Sequence, residues 1–492
     1  MKKIVLKEIA QESLPFAPQK IDKQREPVHV VYGGANLFKA DTPHKLGKLA
    51  LKSIETYAPN FVEFAYAMWL AGADTLPKYA DVIESLEKML AEDAESVKAK
   101  DYAAWFAWTV YQKTIEKLKR EPVEDFRIDF EDGYGFRADE EEDAHAVSAA
   151  EQLAISSQKL EVGNEKLEVG ESDSSLSTIN YQLSTPFNGF RVKSFAPETK
   201  KRAVRTLKLF LNTLITHSGG KIPFNFAVTL PKITNLKEVK DLAERLDKFE
   251  KKHSLPHGAI KIEIMIETPE SIIDEKGRIV IAKLVKAGKG RVKSAHFGAF
   301  DYTASLGISA AHQHLRHEAC NFARQMMLTT LAPLNIRLSD SVTTEMPVPI
   351  HRGENLSEKQ IRENKSAVQK AWRTHFNNVT FSLTNGFYQS WDLHPAQLVA
   401  RYAAVFAFFI ESHEAQARRL KGFIEKATQA NLTGNTFDDA ASANGLLNFF
   451  RRALNCGAFT EAEIAESTGL SIKELHADSF LKIMENRRRN TL

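Results

Sequence analysis

The chain has 492 residues, 43% hydrophobic and 26% charged, a balance that excludes a mainly disordered polypeptide. Its 66 Lys and Arg against 63 Asp and Glu leave a net charge of +3, so nothing global calls for a nucleic-acid partner. Two cysteines, Cys320 and Cys456, are too few for a disulfide framework, and no run approaches the ~18 apolar residues of a membrane span. With no signal-peptide core at the N-terminus, the reading is a cytoplasmic protein without a membrane segment.

In chain order, β-type runs are expected at 28–32, 126–131, 189–193, 224–230, 260–267, 292–297, 336–339 and 388–393, alternating with amphipathic helical stretches. Residues 379–383 look strand-like, but Val368, Trp372, Phe376, Val379 and Leu383 fall at helical spacing. That segment is therefore assigned to a helix closed by Asn385-Gly386, with the last strand just after it. Eight parallel-sheet runs suit one closed ring. The predicted fold is α/β, a (β/α)8 TIM barrel with a helical insertion after the first strand and a C-terminal helical extension.

The barrel is placed at 27–400, after an N-terminal segment 1–26, with the helical insertion at about 58–122. A flexible loop is expected at about 157–185, where 159–163 is repeated as 166–170. Residues 401–492 form the helical extension, broken at Leu432-Thr433-Gly434-Asn435. Residues 461–489 have the outline of a helix-turn-helix about Gly469, but the second helix carries Glu474, His476 and Asp478. A packed helical hairpin is preferred to DNA binding.

Catalytic groups of such a barrel project from the C-terminal strand ends. There the sequence puts Glu131 and Asp132, Arg191 and Lys193, Lys232, Glu267, Asp301 and Asp340. Glu267 and Asp301, on adjacent strands, offer oxygen-only ligands suited to Mg²⁺ or Mn²⁺; the absence of His and Cys argues against zinc. The plainer alternatives are an ion pair of Glu267 with Arg191 or Lys232, and a helix-capping role for Asp301. Arg191 can grip a substrate carboxylate with two parallel hydrogen bonds. The turn at Gly298 and Ala299 offers backbone N–H groups to a second anionic oxygen. Together these describe a pocket for a small 2-oxo or 2-hydroxy acid. His312, His314 and His317 are assigned to a plain helix rather than a metal site, and Cys320 to packing.

Six motifs, IDFEDGYGFR, GFRVKSF, TLPKI, IEIMIETPES, HFGAFDYTASLG and WDLHPAQ, occur in this order. With the early VYGGANLF and KLGKLA they resemble the HpcH/HpaI aldolase and citrate lyase β-subunit family, from about residue 27 to 400. That family belongs to the phosphoenolpyruvate/pyruvate-binding barrel superfamily, to which malate synthase is related. The resemblance implies Mg²⁺ ligation by Glu267 and Asp301, carboxylate binding by Arg191, and Glu131 and Asp132 behind the metal-bound water. It places Lys232 at the pocket rim and His394 in a structural turn. Lys193 and Tyr32-Gly33-Gly34-Ala35 depart from the family pattern, which leaves the acyl donor, and the use of a coenzyme A ester, open.

The expected activity is a Mg²⁺-dependent carbon–carbon lyase acting on a small carboxylic acid, with Asp132, Glu131 or a metal-bound water as the base. The alternatives are malate-synthase-like condensation, acyl-CoA thioester hydrolysis, phosphotransfer from phosphoenolpyruvate, or a catalytically inactive DNA-binding or scaffold protein. No nucleic-acid partner is expected, and a homo-oligomer is a modest expectation.

Overall fold

Asp125-Phe126-Arg127-Ile128-Asp129 shows how the sheet is built. Side chains alternate across a strand, and here Phe126 and Ile128 join the main apolar core while Asp125, Arg127 and Asp129 take the other face. That face is the lumen, since Arg127 reaches Glu263 on a strand that does not pair with its own.

The computed structural model describes residues 25–166, 185–433, 440–477 and 479–491. Eight parallel strands pair in chain order: His29–Gly34 (β1), Asp125–Asp129 (β2), Phe187–Arg191 (β3), Phe226–Leu230 (β4), Lys261–Ile266 (β5), Val292–Phe297 (β6), Arg337–Val342 (β7) and Gln389–Asp392 (β8). β8 closes onto β1 through Val30 and Trp391, making the ring a TIM barrel. Each strand falls on one of the eight expected runs. Residues 379–383 lie in the helix Glu358–Thr384, whose C-cap is Asn385, followed by Gly386 at φ 83°.

Four helices, Phe61–Met68, Ala80–Glu92, Ala94–Lys100 and Tyr102–Arg120, lie between β1 and β2 after the helix Thr42–Tyr57. The last of them packs on the long helix Gln397–Thr433. Tyr402 on that helix donates its hydroxyl to the carbonyl of Pro122 at 3.0 Å. The helix after β2 runs from Asp139 to Lys166, through the first copy of the short repeat where a loop is expected. Gln, Lys, Leu and Glu in that stretch are strong helix formers. Residues 167–184, the rest of the expected loop, lie outside the described residues, as does nearly all of the N-terminal segment.

The break expected at 432–435 coincides with the end of the helix at Thr433, and 434–439 lie outside the described residues. Beyond it come Ala440–Cys456, Glu461–Thr468, Ile472–Leu475 and Phe480–Thr491. The second helix of the expected hairpin is thus a single turn, and Arg487 on the last helix is ion-paired with Glu474. No helix among the described residues is long and apolar enough to cross a membrane.

Candidate active site

The lumen is polar from its floor upward. Glu263 on β5 is fully buried and accepts from Arg127 Nη2 (3.0 Å), Thr229 (2.7 Å), Ser294 (2.7 Å) and the Tyr32 hydroxyl (3.1 Å). Burial alone would raise its pKa, but Arg127 and His296 outweigh it and hold the carboxyl well below the usual range. Arg127 also pairs with Asp125. This layer closes the lumen beneath the mouth.

At the C-terminal mouth the structure gathers Glu131, Asp132, Arg191, Lys232, Glu267 and Asp301. Asp129, the last residue of β2, organises them. It accepts Arg191 Nε at 2.7 Å and Nη2 at 2.6 Å, and the backbone N–H groups of Glu131 (3.0 Å) and Gly133 (2.7 Å). The Arg191 fork expected to hold a substrate carboxylate is therefore engaged by Asp129. Its remaining Nη1 lies 3.2 Å from Glu131 and 3.7 Å from Asp132. The guanidinium rests 4.8 Å over the Tyr32 ring. Sequence reasoning missed Asp129.

Lys232 has a left-handed backbone, φ 48°, a conformation that costs a residue with a Cβ. Its N–H meets Glu267 at 2.6 Å, and its ammonium lies 2.5 Å from Glu131, 2.8 Å from Asp132 and 3.7 Å from Asp301. Glu267 is thus held by the Lys232 backbone rather than by an ion pair with its side chain. Asp301 stands in the first turn of the helix Ala299–Ser305, whose N-cap is Gly298, so it is no N-cap itself. Gly298 is required sterically: a Cβ there would lie 2.6 Å from Glu267 Cβ and against its carboxyl oxygen.

Five carboxyl groups, Asp129, Glu131, Asp132, Glu267 and Asp301, meet two cations, Arg191 and Lys232, an excess of three negative charges if all are ionised. The carboxyl pKa values are shifted by this crowding. Burial, then the Asp301 charge, pushes Glu267 up to about 8. Burial pushes Glu131 up to about 7; Asp132 adds to this while Arg191 and Lys232 oppose it. Asp301 is raised too, by burial and by Asp132. For Asp132 burial is outweighed by Glu131, Arg191 and Lys232, and its pKa falls. A site made of carboxylate oxygens, short of positive charge and with its buried acid held largely protonated near neutral pH, fits a hard divalent cation. Glu267 and Asp301, which are in hydrogen-bonding reach of one another, are the residues that could hold it.

The other candidates resolve differently. The backbone donors expected at Gly298 and Ala299 are occupied: Gly298 N–H goes to Ile266 O at 3.1 Å and Ala299 N–H to Ser341 Oγ at 3.0 Å. The first continues the ladder between β5 and β6 and the second bonds a β7 side chain, so both donors face the barrel wall instead of a ligand. Lys193 turns away to Glu142 (2.8 Å) and the Phe130 carbonyl (2.6 Å). Asp340 is buried against Arg324, 2.9 Å away. His312 ends a 3-10 turn, His314 follows in a loop, and His317 is the N-cap of Glu318–Leu331, so the three are not on one plain helix. His394 Nδ1 accepts Ala396 N–H in a turn. Cys320 is buried, its thiol pushed up to about 11 by that burial.

Fold and site together define a TIM barrel with an acidic, arginine-containing mouth. The chain belongs to the family described as a domain of unknown function, DUF6986, matched over residues 17–164 and 167–483. No curated protein matches it significantly. Solved structures of similar fold include Haloferax volcanii malate synthase in its magnesium/glyoxylate complex, at 15% identity and TM-score 0.38, covering 57% of this chain and 66% of that one. The lead(II) complex of that enzyme matches at 15% and 0.38, covering 72% and 89%. Its pyruvate/acetyl-CoA ternary complex matches at 15% and 0.35, covering 57% and 61%. The chain thus spans just under two thirds of the length of the first of these, and the likeness is one of fold alone.

Proposed function

We propose that this barrel is a divalent-metal-dependent enzyme that breaks or makes a carbon–carbon bond in a small 2-oxo or 2-hydroxy carboxylic acid. The observation that carries the proposal is the excess of carboxylates over cations at the mouth, with Glu267 buried and held up to about 8. Glu267 and Asp301 would hold Mg²⁺ or Mn²⁺. When bound, such an ion would supply positive charge to a substrate oxygen on which negative charge develops. Arg191 adds a fixed charge beside it through Nη1, oriented by Asp129. Glu131, pushed up to about 7 by burial, is suited to accept and return the proton. The aromatic pair Tyr32 and Trp391, stacked at 4.5 Å, gives the mouth an apolar wall beside Arg191.

Cleavage of the aldolase and citrate-lyase type, which the sequence motifs suggest, and condensation of the malate-synthase type run through the same enolate. The Haloferax enzyme was captured with magnesium and glyoxylate and with pyruvate and acetyl-CoA; for this chain such ligands are candidates to be tried, on the strength of its own residues. The test is deuterium exchange into pyruvate with and without Mg²⁺, followed by oxaloacetate, or glyoxylate with acetyl-CoA, by mass spectrometry. Metal-dependent exchange that disappears in Glu267→Gln is expected. Exchange indifferent to both metal and Glu267 would refute the proposal.

A further inference from the structure

The donors that the sequence offers to a substrate anion are largely engaged: Arg191 Nε and Nη2 by Asp129, Gly298 N–H by Ile266, and Ala299 N–H by Ser341. One donor at the same mouth is not. Trp391, on β8, is 8% exposed, and its indole N–H has no hydrogen-bond partner. The ring stacks on Tyr32, and the Arg191 guanidinium carbon lies 5.9 Å from its centre. Val30, Tyr32, Met265, Val342 and Trp391, with Phe300 against them, form a small apolar cluster separate from the main core. Buried N–H groups without an acceptor are rare in folded proteins, because the lost hydration is not replaced. Indole combines one donor with a large apolar face.

We infer that Trp391 is a substrate-binding residue, whose indole N–H donates to an oxygen of the carboxylic acid while its ring and Tyr32 wall the carbon skeleton. The inference rests on the proposed 2-oxo-acid chemistry and narrows it to compact acids whose substituent is apolar. Tyr32 cannot replace this donor, since its hydroxyl points to Glu263 and His296 below.

Oxalate, a planar dianion resembling the enolate of pyruvate, is the probe. The full-length protein carrying ¹⁵N-tryptophan has five indole signals, one per Trp, and Trp391→Phe identifies one of them by its loss. Adding oxalate with excess MgCl2 is expected to move that signal downfield and leave the others in place. By calorimetry, Trp391→Phe is expected to bind oxalate roughly 10- to 100-fold more weakly, the loss of one hydrogen bond to a charged acceptor, while its circular dichroism and Mg²⁺ affinity are unchanged. An unmoved signal, or a variant that binds within twofold of wild type, overturns the inference alone. A wild-type protein that binds no oxalate in Mg²⁺ overturns both the inference and the proposed chemistry.

Discussion

Replacing Glu267 by Gln separates the two consequences of its burial. In the metal-free protein its carboxyl titrates at about 8 against an ordinary 4.5. A raised folded-state pKa contributes stability that is complete below about pH 4.5 and is lost as pH climbs through about 8. At about 1.4 kcal/mol per unit, that span sets a ceiling of about 5 kcal/mol on the cost of the ionised carboxylate, reduced by whatever relaxation the mouth allows. Glu267→Gln keeps the shape and removes the charge. Thermal melts of the metal-free proteins should therefore coincide near pH 4.5 and diverge with the variant more stable at pH 8 and above. Metal binding should show the converse. At pH 7 only about a tenth of Glu267 is ionised, so a divalent ion must release close to one proton on binding, and affinity should rise roughly 50-fold from pH 6 to pH 8. Calorimetry of MgCl2 binding in buffers of different ionisation heat counts that proton. A variant melting at or below wild type at pH 8, or tight metal binding without proton release at pH 7, would refute the account of Glu267.

Further expectations follow from the neighbours. Asp129→Asn leaves the buried Arg191 fork without its counter-charge and should destabilise the fold by about 3–5 kcal/mol in chemical denaturation; a loss below about 1 kcal/mol would show that Arg191 finds another partner. Gly298→Ala drives a methyl against Glu267, so Mg²⁺ affinity should fall sharply at an overpacking cost of about 1–3 kcal/mol; unchanged metal binding would contradict the close approach. Gln397 accepts the N–H groups of Leu393 (2.7 Å) and His394 (3.2 Å) and donates to Thr343 O (2.8 Å). Gln397→Ala should cost on the order of 3 kcal/mol while His394→Ala retains pyruvate exchange; loss of exchange in the histidine variant would make that turn more than structural.

The strands were legible because their length, β-branched content and spacing survive any tertiary context, and even 379–383 yielded to a helical apolar period. What the alternation of 125–130 could not reveal was which parity faces inward. A lumen is ordinarily read as apolar, yet here Asp125, Arg127 and Asp129 fill it and Phe126, Ile128 and Phe130 pack outward. The last charged residues of the run, Glu131 and Asp132, consequently drew attention away from Asp129, although Asp129 continues the inward period. Partner choice was the second illegible element. Arg191 suits a carboxylate of the protein as well as one of a ligand, and only coordinates show that Asp129 takes its fork. Trp391 carried no polar signal at all, since an orphaned indole N–H becomes visible only when every neighbour is in place.

The eighth barrel helix does not stop where the ring does. Gln397–Thr433 is 37 residues long, about 55 Å at 1.5 Å per residue, and its first turns are buried almost without interruption from Leu398 to Ile410. It is a single mast stepped into the barrel wall. Shortening the protein to its eight-stranded ring therefore means sawing through that mast, and the terminal helices are better regarded as ballast of the barrel than as a detachable module.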